Sequence, residues 1–322
     1  MIIDGHSASQ GRPEAAGTTT TASELKNAEE SCRTALRSRE LCGVDEQLAA
    51  RGFDAWSALE RVNVRPESVA HLLHLAHSLR CDEVDFARCL LLQGSLSALP
   101  RVAAWRVFEG VKRLWAEDVL YYCQPAGDLR IFSPAHIRFR EMAKIVTLRR
   151  GPAGQFHWEA GGVPRSWIVH TTPWRWPGLF RVLFRLRGFG PLVETHINAR
   201  RKNRPILTEA EGIRSYYRIA RSIELQPEIQ GLVAFSWLYC AETGRVTPHL
   251  QWLRRFFVER GAFVESVGAA SPDSGFLVGS EERRRRYDEG KYRPQMTYVL
   301  WTRDQILRWA RETALEHHDP RL

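Results

Sequence analysis

Lysine is nearly missing from this basic chain: of its 46 Lys and Arg residues only five are lysine, Lys26, Lys112, Lys144, Lys202 and Lys291. Almost every cation is therefore a guanidinium, permanently charged and shaped for bidentate contact with carboxylate or phosphate. A GC-rich coding sequence produces the same bias, so the arginine count alone names no anion. Long apolar runs are lacking too; none reaches the roughly 18 residues that cross a bilayer. Residues 1–22 lack a charged segment followed by an apolar one, which argues against a secretory leader and for a cytoplasmic protein. The six cysteines, Cys32, Cys42, Cys81, Cys89, Cys123 and Cys240, include no CxxC pair. That spacing excludes a zinc ribbon and a dense disulfide scaffold, and it predicts reduced thiols in a core. There is no P-loop, GxGxxG, HExxH, GxSxG or kinase motif set, which removes the commonest nucleotide and hydrolase chemistries. No internal repeat occurs.

What is present is enough for a large core. Hydrophobic residues make up 44% of 322, room for two domains without disulfides or metal. Charge is uneven. Residues 1–125 hold 14 Lys and Arg against 17 Asp and Glu, whereas residues 126–322 hold 32 against 20. A basic second half points to an anionic partner: nucleic acid, a phosphorylated cofactor or a membrane surface.

The pattern along the chain predicts three parts. Residues 1–22, rich in Gly, Ser and Thr, read as a disordered tail. Residues 23–124 read as an all-helical module, with one helix opened by Pro66 and others over 84–93 and 99–121. Beyond Gln124, apolar runs at 129–132, 143–148, 156–158, 166–170 and 192–197 read as strands. A helix over 208–225 follows, with Thr208 and Glu211 spaced as a capping box. Then come a buried strand over 231–240, a helix opened by Pro248 and closed at Gly261, a strand over 296–301 and a helix over 304–316. Residues 125–322 are thus predicted as an α+β fold, a mixed β-sheet flanked by helices.

Chemistry concentrates at a few places. Residues 192–200 read Leu-Val-Glu-Thr-His-Ile-Asn-Ala-Arg, so Glu194, His196, Asn198 and Arg200 share one face of a strand. A carboxylate beside an imidazole orients it and raises its basicity, as a general base requires. His170 closes the predicted 166–170 strand and would meet His196 if the two strands were neighbours. A metal pair there lacks a third ligand, so no metal is expected. Tyr239 and Trp237 lie at the end of the 231–240 strand, where α/β sheets tend to bind ligands. Tyr239 is a candidate proton donor and Trp237 a candidate substrate contact. His249 sits in the first turn of the helix opened by Pro248, where free N–H groups favour an anion. Two basic clusters are candidate phosphate holders: Arg200, Arg201, Lys202 and Arg204, and the run Arg283, Arg284, Arg285 and Arg286. Residues 174–189 mix Trp, Phe, Leu and Arg, which suits a membrane surface, a core lid or a pocket for an apolar chain.

The order Glu194-Thr-His196, Glu211-Gly-Ile, Tyr217-Arg-Ile-Ala, Pro227-Glu-Ile-Gln-Gly231, Ser236-Trp-Leu-Tyr239 and Thr247-Pro-His-Leu250 resembles a group of bacterial proteins whose elements look acetyltransferase-like (GNAT-like). The resemblance covers about residues 190–310, within which the Q/R-x-x-G-x-G/A phosphate turn of that fold is absent. It implies a transferase moving an acyl or aminoacyl group from acyl-CoA or charged tRNA to an amine or hydroxyl acceptor. In that reading Glu194 and His196 activate the acceptor and Tyr239 serves the leaving group. Asn198, Trp237, His249 and His170 contact substrate, and Arg200, Arg204, Arg283 and Arg284 hold donor phosphates. No cofactor would be tightly bound. The alternative is a non-catalytic basic protein that binds RNA or a partner.

Overall fold

In the computed structural model, residues 21–65, 67–124, 133–198, 207–313, 315 and 322 are described. Seven helices come first: α1 (Thr21–Leu36), α2 (Cys42–Ala50), α3 (Ala55–Val64), α4 (Glu67–Ser78), α5 (Glu83–Ala104), α6 (Glu109–Cys123) and α7 (Ile137–Val146). They share one apolar cluster that includes Leu59, Phe86, Leu90, Trp115, Phe139 and Ile145. The break expected between 93 and 99 does not occur; α5 runs through it. Gly94 is no helix stop. A Cβ there would come 2.4 Å from Leu59 Cδ1 and 3.0 Å from Val146 Cγ1, so glycine lets α3 and α7 pack against the middle of α5. Asp82 caps α5 by accepting from the Val84 and Asp85 amides. Asp82→Ala is expected to cost about 1 kcal/mol of stability, read as a lowered urea midpoint.

The second part is built on a six-stranded mixed sheet in the order β1-β2-β3-β4-β6-β5. The strands are β1 (Arg150–Pro152), β2 (Phe156–Gly161), β3 (Leu192–Ile197), β4 (Gly231–Ser236), β5 (Phe263–Ala269) and β6 (Gln295–Thr302). All neighbours are antiparallel except β3 and β4. That parallel pair needs a crossover, which α10 (Glu209–Glu224) supplies. The short helix α11 (Ala241–Val246), then α12 (Gln251–Glu259), α13 (Glu281–Asp288) and α14 (Arg303–Thr313) complete the chain.

Alternation along the strands divides the sheet into two faces. One face carries Trp158, Val193, Leu232, Val299 and Trp301 and packs on α10, α12 and α14 through Tyr216, Phe256, Phe257 and Trp309. The other carries Leu192, Val233, Tyr298 and Leu300. It is covered by α8 (Ser166–His170) and α9 (Trp176–Arg185) through Trp167, Leu179 and Leu183. The expected α+β architecture with a mixed sheet is what forms.

Several predicted strands differ. Residues 143–146 belong to α7, because Phe139, Met142, Ala143 and Val146 recur at helical spacing and all face the helical cluster. Residues 166–170 form the single-turn helix α8; Trp167 stacks on Tyr298 at 4.7 Å and packs on Phe235, while Val169 and His170 face outward. The 231–240 strand stops at Ser236, whose hydroxyl accepts from the Leu238 amide and starts a 3-10 turn. The predicted 129–132 strand lies outside the described residues. The capping box is not formed: Thr208 Oγ1 accepts from Gln155 Nε2, and Glu211 is drawn to Arg214.

Candidate active site

The polar centre of the sheet lies on β2 and β3, on the face that α8 and α9 leave uncovered at this end. Antiparallel register sets Glu159 opposite Glu194 and His157 opposite His196, and Arg150 of β1 opposite Glu159. Residues directly opposite project to the same side. Two carboxylates facing each other across strands repel, and cations offset the repulsion. Arg150 Nη2 reaches Glu159 Oε2 at 3.1 Å, and Lys144 Nζ of α7 reaches the same oxygen at 3.2 Å. His196 Nε2 lies 3.0 Å from Glu159 Oε1. Arg150 also pairs with Glu141 of α7. Burial alone would push the Glu159 carboxyl up, but His196, Arg150 and Lys144 bring it down to about 2. It is a fixed anion at neutral pH, held where it orients the imidazole.

Strand alternation predicts Glu194 as the partner of His196. The structure keeps Glu194 and His196 on one face, as strand alternation requires, but it sets Glu159 of β2 in ion-pair contact with the imidazole. The ligand atoms of Glu159, Glu194 and His196 lie within 4.8 Å of one another. Such oxygen and imidazole donors suit a divalent ion. Here, however, both Glu159 oxygens already face cationic side chains, so an ion would have to displace Arg150 and Lys144.

Tyr239 does not join this face. Its hydroxyl is buried 3.3 Å from the Tyr216 hydroxyl, beside Thr195, whose side chain points to the opposite side of β3 from Glu194 and His196. Burial pushes the Tyr239 hydroxyl up, so it stays protonated. What connects the two faces is a break in the sheet. Pairing between β3 and β4 runs through Val193 with Leu232, Glu194 with Val233 and Thr195 with Ala234, then ends. Yet β3 continues to Ile197 and β4 to Ser236. Past Thr195 the two strands form a wedge whose apolar lips, Ile197 and Phe235, are exposed. His196 and Tyr239 stand on opposite sides of its apex.

The other predicted site residues serve different ends. Asn198 is buried, and its Nδ2 donates to the Gly154 carbonyl, tying β3 to the β1–β2 turn. Trp237 is buried with its indole N–H on the Ser274 carbonyl. His249 is exposed in the 3-10 turn before α12, on the side of the sheet away from His196. His170 is exposed on α8, so the predicted meeting of two strand-end histidines does not arise. Arg283 is buried, with its guanidinium on the carbonyls of Phe276 and Val278 and against the Trp237 ring. Arg285 and Arg286 pair with Glu282 one turn earlier. Of the four-arginine run, Arg284 is exposed and has no ion-pair partner among the described residues. Arg200 and Arg204 lie outside the described residues, in the segment joining β3 to α10.

Two features escaped the sequence reading. Glu159 is one; the alternation His157, Glu159 against Phe156, Trp158 was its signal. The other is Arg185-Leu-Arg-Gly188-Phe-Gly190, which has the spacing of an R-x-x-G-x-G phosphate turn. It sits at the C-terminus of α9, where the Leu186, Arg187 and Gly188 amides are spent on α9 carbonyls. A helix C-terminus carries the wrong sign for an anion.

No family model matches the chain, and no curated protein does. Two solved structures are similar to part of the chain. One is an acyltransferase in complex with decanoyl-CoA, 15% identical with a TM-score of 0.42 over 67% of this chain. The chain spans 66% of that protein's length. The other is an acyltransferase in complex with decanoyl-CoA and teicoplanin, 14% identical with a TM-score of 0.40, over 87% of this chain and 95% of that one. Likeness this distant carries no argument about chemistry.

Proposed function

We propose that the chain is an acyltransferase that takes an acyl group from a phosphate-bearing thioester of the acyl-CoA type and passes it to a small amine or hydroxyl acceptor. The observation that carries this reading is the Glu159–His196 pair standing beside the β3–β4 wedge. In the proposed step His196 removes the acceptor proton as its nitrogen or oxygen attacks the thioester carbonyl. The C–S bond then breaks, the departing thiolate takes a proton from Tyr239 across the wedge, and solvent resets the pair by taking the proton from the His196 imidazolium and returning one to the Tyr239 oxygen. Glu159 and Glu194 keep His196 oriented and balance the charge it gains. Strand edges that separate past Thr195 and Ala234 leave main-chain groups for an extended amide-bearing arm. Arg200 and Arg204 precede α10 in the sequence, and the first amides of that 16-residue helix favour phosphate. Arg284 remains available for the same role. Charged tRNA as donor is a less economical reading, since the second basic cluster is largely consumed by internal contacts.

The test is release of free thiol from acyl-CoAs of graded chain length in the presence of mixed amines and alcohols. Absence of acceptor-dependent release with every donor would sink the reading. Tyr239→Phe is expected to lower kcat about tenfold with KM unchanged, less than a full general-acid effect because a thiolate is a weak base. An unchanged kcat would remove Tyr239 from the step.

A further inference from the structure

From Ala160 to Val193 the chain contains no acidic residue and five arginines, Arg165, Arg175, Arg181, Arg185 and Arg187. This is the whole connection between β2 and β3, and it includes α8 and α9. Within α9, Leu179 and Leu183 turn inward to the sheet. A second apolar stripe, Trp176, Phe180 and Phe184 at spacing i, i+4, i+8, turns outward; Phe180 is 52% and Phe184 86% exposed. Trp174, in the turn just before α9, is 74% exposed. Water-facing aromatics in a row are not explained by packing, because the helix already has its core stripe. Among the described residues no carboxylate pairs with Arg181, Arg185 or Arg187, whereas Arg175 is held by Glu265. Aromatic rings flanked by free guanidinium groups are the chemistry of a bilayer interface: rings enter the acyl boundary while arginines meet anionic headgroups.

We propose that the outer face of α9, with Trp174, docks on the surface of an anionic lipid bilayer. The helix lies along the surface, and no helix among the described residues is long and apolar enough to cross it. The acid-free sequence matters here as much as the arginines, since an unpaired carboxylate on this face would be repelled by the same headgroups; Glu265, which reaches this connection from β5, is paired with Arg175. The inference is independent of the acyl-transfer chemistry and is tested without it.

The experiment is co-sedimentation of the full chain with vesicles of phosphatidylcholine alone or with about one third phosphatidylglycerol. Binding to the anionic vesicles is expected to exceed binding to the neutral ones about tenfold and to fall with added salt. Phe180→Glu with Phe184→Glu is expected to reduce it at least about tenfold. Both side chains are exposed, so an unchanged melting temperature shows that the variant is folded. Arg181→Glu with Arg185→Glu should remove the preference for anionic lipid. Failure of the wild type to sediment with either vesicle overturns the proposal, as does undiminished binding by the phenylalanine double variant. Equal binding to both vesicles overturns its electrostatic part. A wild-type dimer that the phenylalanine variant makes monomeric, with no vesicle binding, would assign the ridge to a second copy of the chain instead.

Discussion

Replacing His196 by alanine is expected to lower kcat for acyl transfer by about 10²–10⁴-fold while the fold survives. The effect is large because no neighbour can take over. Glu194 shares the face but is not in ion-pair contact with the imidazole, and Glu159 is an anion committed to Arg150 and Lys144, which donate to it. The fold survives because the imidazole is a partly exposed group at the rim of β3 rather than a core residue. Losing it frees one oxygen of Glu159, which Lys144 already reaches at 3.5 Å. KM for the thioester should change little, since the base acts on the acceptor. His196→Gln, which roughly keeps the size of the side chain but has no basic nitrogen, should be as inactive as the alanine variant. Should the glutamine variant keep most of its turnover, His196 is a spacer and the proton goes elsewhere.

What could be read from the chain beforehand follows physical lines. The alternation of Glu194 and His196 on β3 and the amphipathic α10 are local patterns, and they formed; the helix expected from Pro248 begins at Gln251, after a 3-10 turn over Pro248–Leu250. The mixed sheet was legible from the alternation of elements. Strand or helix identity for 143–148 and 166–170 was not, because a five- or six-residue apolar run fits either period. Residues 143–146 were decided by distant contacts with α3 and α5, and Trp167 by its stack on Tyr298, 131 positions along the chain. The partner of His196 was invisible for the same reason. Glu159 precedes it by 37 residues, and only the β2–β3 register brings them together. Tyr239 shows the limit of reading strand ends as one site: a sheet has two faces, and a turn after Ser236 placed the hydroxyl on the far one. The arginine run looked free because charge counts ignore partners. Glu282, one helical turn before Arg285 and Arg286, pairs with both, and Glu289 pairs with Arg285 as well.

Glu159→Gln is expected to destabilise the protein by about 3 kcal/mol at neutral pH, with a loss that depends on pH in a defined direction. The wild-type carboxyl is held at about 2 in the fold against an ordinary value near 4.5. A group whose folded value is depressed contributes stability above its unfolded value and loses it as pH falls through the folded one. A gap of this size corresponds to about 3 kcal/mol, fully present above pH 5 and fading between about pH 4.5 and 2. Side-chain exposure of 20% is low enough that solvent screening does not erase it. Removing one partner of a buried ion pair costs about 3–5 kcal/mol in general. The lower end applies because Arg150 keeps Glu141, which leaves Lys144 and His196 without the carboxylate. Urea midpoints of wild type and variant, followed from pH 7 to pH 2.5 by tryptophan fluorescence, should therefore lie far apart at neutral pH and converge in acid. Two curves that stay parallel throughout would mean that Glu159 is not held as an anion, and His196 would then lack the fixed charge that the proposed base requires.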